Sequence, residues 1–128
     1  MTKPVTRAEK ARILRPKKKK SVWVLHDALQ FVRRLEKKLR IAYAHVAFTG
    51  SVLYEGESKK DLDIVIFPHS SRHFDLDLVR GVLEEAGLHC LFTVAQVHKN
   101  WRERGIKDRK RVEIWAYHQK RVDVMFLK

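Results

Sequence analysis

The chain has one cysteine, Cys90, so no intramolecular disulfide can form, and its setting in "LHCLF" reads as that of a small buried hydrophobe. It has no apolar run near the ~18 residues of a membrane span, and no signal-peptide core follows its basic start. These absences exclude a disulfide scaffold, and no membrane partner is expected. They set the expectation of an intracellular protein, cytoplasmic, or nuclear in a eukaryotic host. Internal repeats and a second domain are missing too. Acidic residues are scarce: 15 Asp and Glu stand against 28 Lys and Arg, a formal charge of +13 in 128 residues.

The excess of positive charge is uneven. Residues 1–20 carry nine basic side chains and one acid, Glu9, and so supply +8 of the total. A run such as "RILRPKKKKS" buries too little apolar surface to order itself, so a flexible basic arm is expected over residues 1–20 and a folded domain over residues 21–128. Lys17, Lys18, Lys19 and Lys20 are candidates for nucleic-acid contact through counterion release, or for a nuclear address.

From Ser21, a candidate N-cap, the residues Leu25, Ala28, Leu29, Val32, Leu35 and Leu39 recur at helical spacing, with Phe31 at the stripe's edge. This predicts an amphipathic helix over residues 22–40, with Glu36 positioned to pair with Arg40. "YAHVAF" and "DLDIVIF" read as strands, the second ended by Pro68. A helix follows, capped by Ser70 or Ser71, with Asp75 and Asp77 near its positive end, Phe74, Leu78, Val82 and Ala86 facing the core, and Gly87 as its stop. "LHCLFTVAQV", "RVEIWAYH" and "KRVDVMFL" read as strands, the last two joined as a hairpin near Gln119. Trp23, Trp115 and Tyr117 read as packing residues, because each sits in a regular apolar pattern. The order of elements indicates an α+β fold with a mixed β-sheet packed against helices.

Two carboxylates interrupt the strand "DLDIVIF". Alternation puts Asp61, Asp63 and Val65 on one face and Leu62, Ile64 and Ile66 on the other. Like charges side by side repel unless a cation sits between them, and carboxylate oxygens suit Mg²⁺. Asp123 interrupts "RVDVMFL" in the same way. Were the two strands adjacent, three carboxylates would converge and could hold two metals, the arrangement used for in-line displacement at phosphorus. Upstream, Gly50 and Ser51 offer backbone amides and a hydroxyl to phosphate.

Gly50-Ser51, then Asp61-Leu62-Asp63 beginning ten residues after the serine, then Asp123 within "RVDVMF", resembles the polymerase-β nucleotidyltransferase superfamily. The spacing and last strand are particularly similar to the palm of the family X DNA polymerases, over about residues 43–127. The resemblance implies a minimal, palm-like Mg²⁺- or Mn²⁺-dependent nucleotidyltransferase using two ions. It would transfer a nucleoside monophosphate from an NTP or dNTP to an acceptor hydroxyl, most simply a nucleic-acid 3′ end given the basic surface. Asp61 and Asp63 would bind both ions and the nucleotide phosphates; Asp123 would bind the catalytic ion and help deprotonate the acceptor. Ser51, with the amide at Gly50, would hold the terminal phosphates, and Arg121 would lie near the primer end.

Two departures stand out. Where family members carry an arginine after the motif serine, this chain has Tyr54 and Glu55, leaving Lys59, Lys60 or the basic cluster at 102–111 to meet the triphosphate. The chain ends five residues after Asp123, so a protein partner supplying base-holding and duplex-gripping elements is expected, and template-directed synthesis by this chain alone is not.

In the segment "HKNWRERGIKDRKR", Trp101 could stack on a base while Arg102, Arg104, Lys107, Arg109, Lys110 and Arg111 meet the backbone; the other reading is a solvated loop whose tryptophan covers the sheet. His69 and His73 have i,i+4 spacing, but Pro68 beside them and the lack of a third ligand speak against zinc. Two rival functions accompany the leading one. One is a minimal nucleotidyltransferase antitoxin that adenylylates a partner toxin. The other is a non-catalytic nucleic-acid-binding protein on the same fold.

Overall fold

The computed structural model describes residues 4–15, 21–70, 75–108 and 110–127. Helix α1 (Arg7–Leu14) precedes strand β1 (Trp23–Val24), helix α2 (Leu25–Leu39), a 3₁₀ turn at Arg40–Ala42 and strand β2 (Ala44–Thr49). Helix α3 (Ser51–Glu55), strands β3 (Glu57–Ser58) and β4 (Asp61–Pro68), and helix α4 (Leu76–Glu85) follow. Strand β5 (Leu88–Phe92), helix α5 (Val94–Glu103) and strands β6 (Val112–Tyr117) and β7 (Lys120–Phe126) complete the order. Lys17, Lys18, Lys19, Lys20, Ser71, His73, Phe74 and Arg109 lie outside the described residues.

The main sheet has the order β2-β4-β7-β6-β5, with β4 and β7 parallel and the remaining pairs antiparallel. The alternation read from "DLDIVIF" holds: Leu62, Ile64 and Ile66 are fully buried, while Asp61, Asp63 and Val65 are half-buried on the other face. The buried side packs against Phe31, Leu35 and Leu39 of α2 and Val79, Val82 and Leu83 of α4. Trp23 and Trp115 lie in this core and Tyr117 packs against it. The hairpin between β6 and β7 turns through His118 and Gln119, both at positive φ, which matches the right-handed strand twist.

Several local expectations differ from the fold. Helix α2 starts after Val24, without a side-chain cap, because Trp23 and Val24 pair with Ser58 and Glu57 instead of entering the helix. Phe31 is central to its buried face, while Leu25 and Leu29 are exposed. Glu36 does not meet Arg40. Its carboxylate accepts from the Val46 amide of edge strand β2 at 3.1 Å and from His45 Nδ1 at 2.9 Å, satisfying an edge donor that would otherwise invite strand pairing. Asp75 caps α4, and Leu78 is exposed while Val79 and Leu83 are buried. Cys90 is exposed, not a buried hydrophobe; it lies on the edge strand β5, beside a register shift between Cys90 and Phe92.

The two largest differences both border the sheet face that carries Asp61 and Asp63. Residues expected to be unstructured form α1, with Thr6 as N-cap and Ile13 buried against Leu91 and Ala116. The stretch after Phe92 is a helix, α5, instead of more strand. Thr93 and Gln96 form a capping box that starts it.

Candidate active site

The parallel register of β4 and β7 sets Asp63 beside Asp123 and Asp61 beside Arg121. Side chains of paired residues share a face, so Asp61, Asp63 and Asp123 converge. Each offers a carboxylate oxygen within 4.8 Å of the other two. The surrounding chain fixes them. The Ser58 hydroxyl accepts from the amides of Lys60 and Asp61 at 3.2 and 3.1 Å, setting the turn into β4. The Trp23 indole donates to the Arg121 carbonyl at 2.9 Å, anchoring the start of β7.

Three carboxylates so close cannot all ionise cheaply. Burial, then the charges of Asp123 and Asp63, push Asp61 up to about 7, although Arg121 pulls the other way. Burial and Asp123 also raise Asp63, opposed by Arg121 and Lys60. Arg121 is the internal counter-ion. Its Nε and Nη2 donate to both oxygens of Asp123 at 2.7 and 3.1 Å, and Nε lies 3.8 Å from Asp61. Burial would lower its own affinity for a proton, but the bond to Asp123 and the acidic charges raise it overall. The same guanidinium reaches the Leu14 carbonyl at the end of α1 at 3.5 Å. This pairing was legible in principle, since residues two apart on a strand share a face.

The donor set fits a hard divalent cation: oxygen-only ligands, partly open to solvent, whose mutual repulsion an ion would relieve. Gly50 keeps the space in front of them clear. It sits at φ +76, and a Cβ there would collide with the Asp63 carboxylate.

Two clefts flank the acids. Ser51, Lys59, Lys60 and Asp61 line one of about 480 Å³ at α3. The other, about 460 Å³, runs between the end of α1 and α5 and is lined by Arg15, Lys60, Phe92, Trp101, Arg104 and Arg121 among others. Lys60 thus borders both. Among the described residues, the rest of the predicted basic cluster is dispersed: Arg102 and Lys107 line a separate cavity at the end of α5, Lys110 pairs with Asp108 at 3.8 Å, and Arg111 is exposed just before β6.

Sequence reasoning missed Glu113, which orients the second cleft. Its buried carboxylate accepts from Arg80 Nε and Nη2 at 3.2 and 2.6 Å, from the Trp115 indole at 3.1 Å and from the Val94 amide at 3.0 Å. It therefore ties α4, β6 and the first turn of α5 together. Alternation in "RVEIWAY" puts it on the face of Trp115, which is the signal that it is buried.

No protein-family model matches the sequence, and no curated protein matches it either. Among solved structures the chain is similar to a cytoplasmic RNA terminal U-transferase, at 12% identity and a TM-score of 0.53. The match covers 80% of this chain but 28% of the other, so this chain corresponds to under a third of that protein's length. No described helix is long and apolar enough to cross a membrane. Sheet order and structural likeness agree on the fold: a nucleotidyltransferase-like α+β domain with a mixed sheet packed against helices.

Proposed function

We propose that the chain is a divalent-metal-dependent nucleotidyltransferase that moves a nucleoside monophosphate from an NTP or dNTP to the 3′ hydroxyl of a single-stranded nucleic acid. The observation that carries this reading is the convergence of Asp61, Asp63 and Asp123 on one open sheet face. Asp61, Asp63 and Asp123 would hold Mg²⁺ or Mn²⁺, which when bound lowers the pKa of the acceptor hydroxyl and neutralises phosphate charge.

The residues divide the work by position. Ser51, Lys59 and Lys60 in the α3 cleft take the triphosphate, the serine donating its hydroxyl and the lysines their charge. Asp123 receives the acceptor's proton, the hydroxyl oxygen bonds to the α-phosphorus, and the bond to the leaving pyrophosphate breaks. Arg121, released from Asp123 as that carboxylate takes up its new role, turns to the acceptor's phosphate. Trp101 and Phe92 offer faces on which terminal bases stack, and Arg15 and Arg104 meet the backbone. RNA is the favoured acceptor, because the structural neighbour acts on RNA termini. Lys17, Lys18, Lys19, Lys20, Arg102, Lys107, Arg109, Lys110 and Arg111 add charge that draws the strand in.

The test is transfer of labelled nucleotide, with Mg²⁺ or Mn²⁺, to single-stranded RNA, single-stranded DNA and protein acceptors. Extension of RNA 3′ ends, abolished in Asp61→Asn and Asp123→Asn, is expected. Label on protein alone would move the acceptor to a partner polypeptide. No transfer, with salt-dependent nucleic-acid binding intact in both variants, would make the chain a non-catalytic binder.

A further inference from the structure

At the edge strand β2, away from the acids, three side chains form a chain of contacts that the transfer reaction does not use. His45 on β2 directs Nδ1 at the Glu36 carboxylate, 2.9 and 3.1 Å from its two oxygens. Its other nitrogen, Nε2, lies 2.6 Å from His69 Nδ1. With Glu36 accepting from Nδ1–H, the Nε2 of His45 is left as a lone pair aimed at the second ring. Two ring nitrogens facing one another at 2.6 Å have room for one proton between them.

We propose that these nitrogens form a binding site for a borderline divalent ion of the Zn²⁺, Ni²⁺ or Cu²⁺ class, which replaces the shared proton. Imidazole nitrogen suits such ions and not Mg²⁺, so this site and the acidic one select different metals. The carboxylate behind His45 is the supporting arrangement that metal-bound histidines usually have, orienting the ring and raising its donor strength. The support is rigid. Glu36 lies in the body of α2 and also accepts from the Val46 amide, and the His69 amide donates to the Tyr43 carbonyl at 2.8 Å. Bonds of about 2.0–2.1 Å in a tetrahedral site require the nitrogens to part by less than about 1 Å; the described residues add no third protein ligand, so this is a two-histidine site whose remaining positions solvent fills. His45 and Glu36 are about a third exposed, which gives an ion a path in. Bound there, the ion clips edge strand β2 to the segment leaving β4. The i,i+4 partner read from sequence, His73, is outside the described residues; His45 is the partner that the fold provides.

The experiment titrates Zn²⁺ alone into the full chain, labelled at its ring nitrogens, with Mg²⁺ in excess to occupy the acids. His45 Nε2 and His69 Nδ1 should shift together and saturate at a single equivalent, while exposed His26 and His118 do not. His45→Gln should remove the effect at His69, and Glu36→Gln should weaken binding about 10–100-fold while keeping both nitrogens as ligands. Resonances of His45 and His69 that move no more than those of His26 and His118, or that saturate independently, would overturn the proposal. The wild-type titration decides this even if a variant folds poorly.

Discussion

Replacing Asp61 with asparagine removes one charge from the acidic cluster while keeping a side chain of the same shape that can donate to Asp123. In the folded chain Asp61 is raised from 3.8 to about 7, by burial first and then by Asp123 and Asp63. A raised acid favours the folded state while it is protonated. That contribution is complete below about pH 4 and is lost as pH rises through about 7. At ~1.4 kcal/mol per pH unit the ionised group costs up to about 4 kcal/mol, and solvent screening of a partly open site reduces this to roughly 2–3 kcal/mol. In a domain of this size that is a melting-temperature difference on the order of 10 °C. With a chelator present, Asp61→Asn should melt above the wild type at about pH 8.5 and close to it at about pH 4. Adding Mg²⁺ at the higher pH should raise the wild type and leave the variant unchanged, because only the wild type gains binding energy in the folded state. Thermal unfolding followed by circular dichroism reads all of this. A variant that melts with the wild type at both pH values, or below it at the higher one, would refute the cost of ionising Asp61 that a bound metal is expected to relieve.

Gly50→Ala should lose about 1–3 kcal/mol of stability from its positive φ, and because its new methyl displaces Asp63, calorimetry should also show metal binding impaired. Glu113→Ala leaves the Arg80 guanidinium, the Trp115 indole and the Val94 amide without their shared acceptor; a loss of about 3–5 kcal/mol in urea denaturation is expected. Trp101→Ala should weaken single-strand binding by about 1–3 kcal/mol in fluorescence anisotropy while leaving metal-dependent nucleotide binding in place.

Features set by short-range geometry were legible in the sequence. The two-residue period of "DLDIVIF" determines which side chains share a face whatever lies next to the strand, so Asp61 and Asp63 could be separated from Leu62, Ile64 and Ile66 directly. The parallel pairing of β4 with β7 has no local signature. It joins residues some sixty positions apart, and only the family resemblance pointed to the convergence of Asp123 with the other two. Helix α1 escaped for the same reason: Ile13 finds its apolar partners in Leu91 and Ala116, and tertiary burial overrides a charged composition. Helix α5 was hidden by Val94 and Val97, which read as strand residues, although Thr93 and Gln96 marked its start. Glu36 shows how local pairing rules fail near a sheet edge. An unsatisfied strand amide and a nearby imidazole outcompete an exposed arginine one turn away.

Asp61, Asp63 and Asp123 are proposed to form a metal and nucleotide site. Titrating a nucleoside triphosphate into the wild type and Asp63→Ala by calorimetry, with and without Mg²⁺ or Mn²⁺, tests it most directly. Binding is expected to require the metal and to disappear in the variant. Metal-independent binding, or equal binding by both proteins, would contradict it.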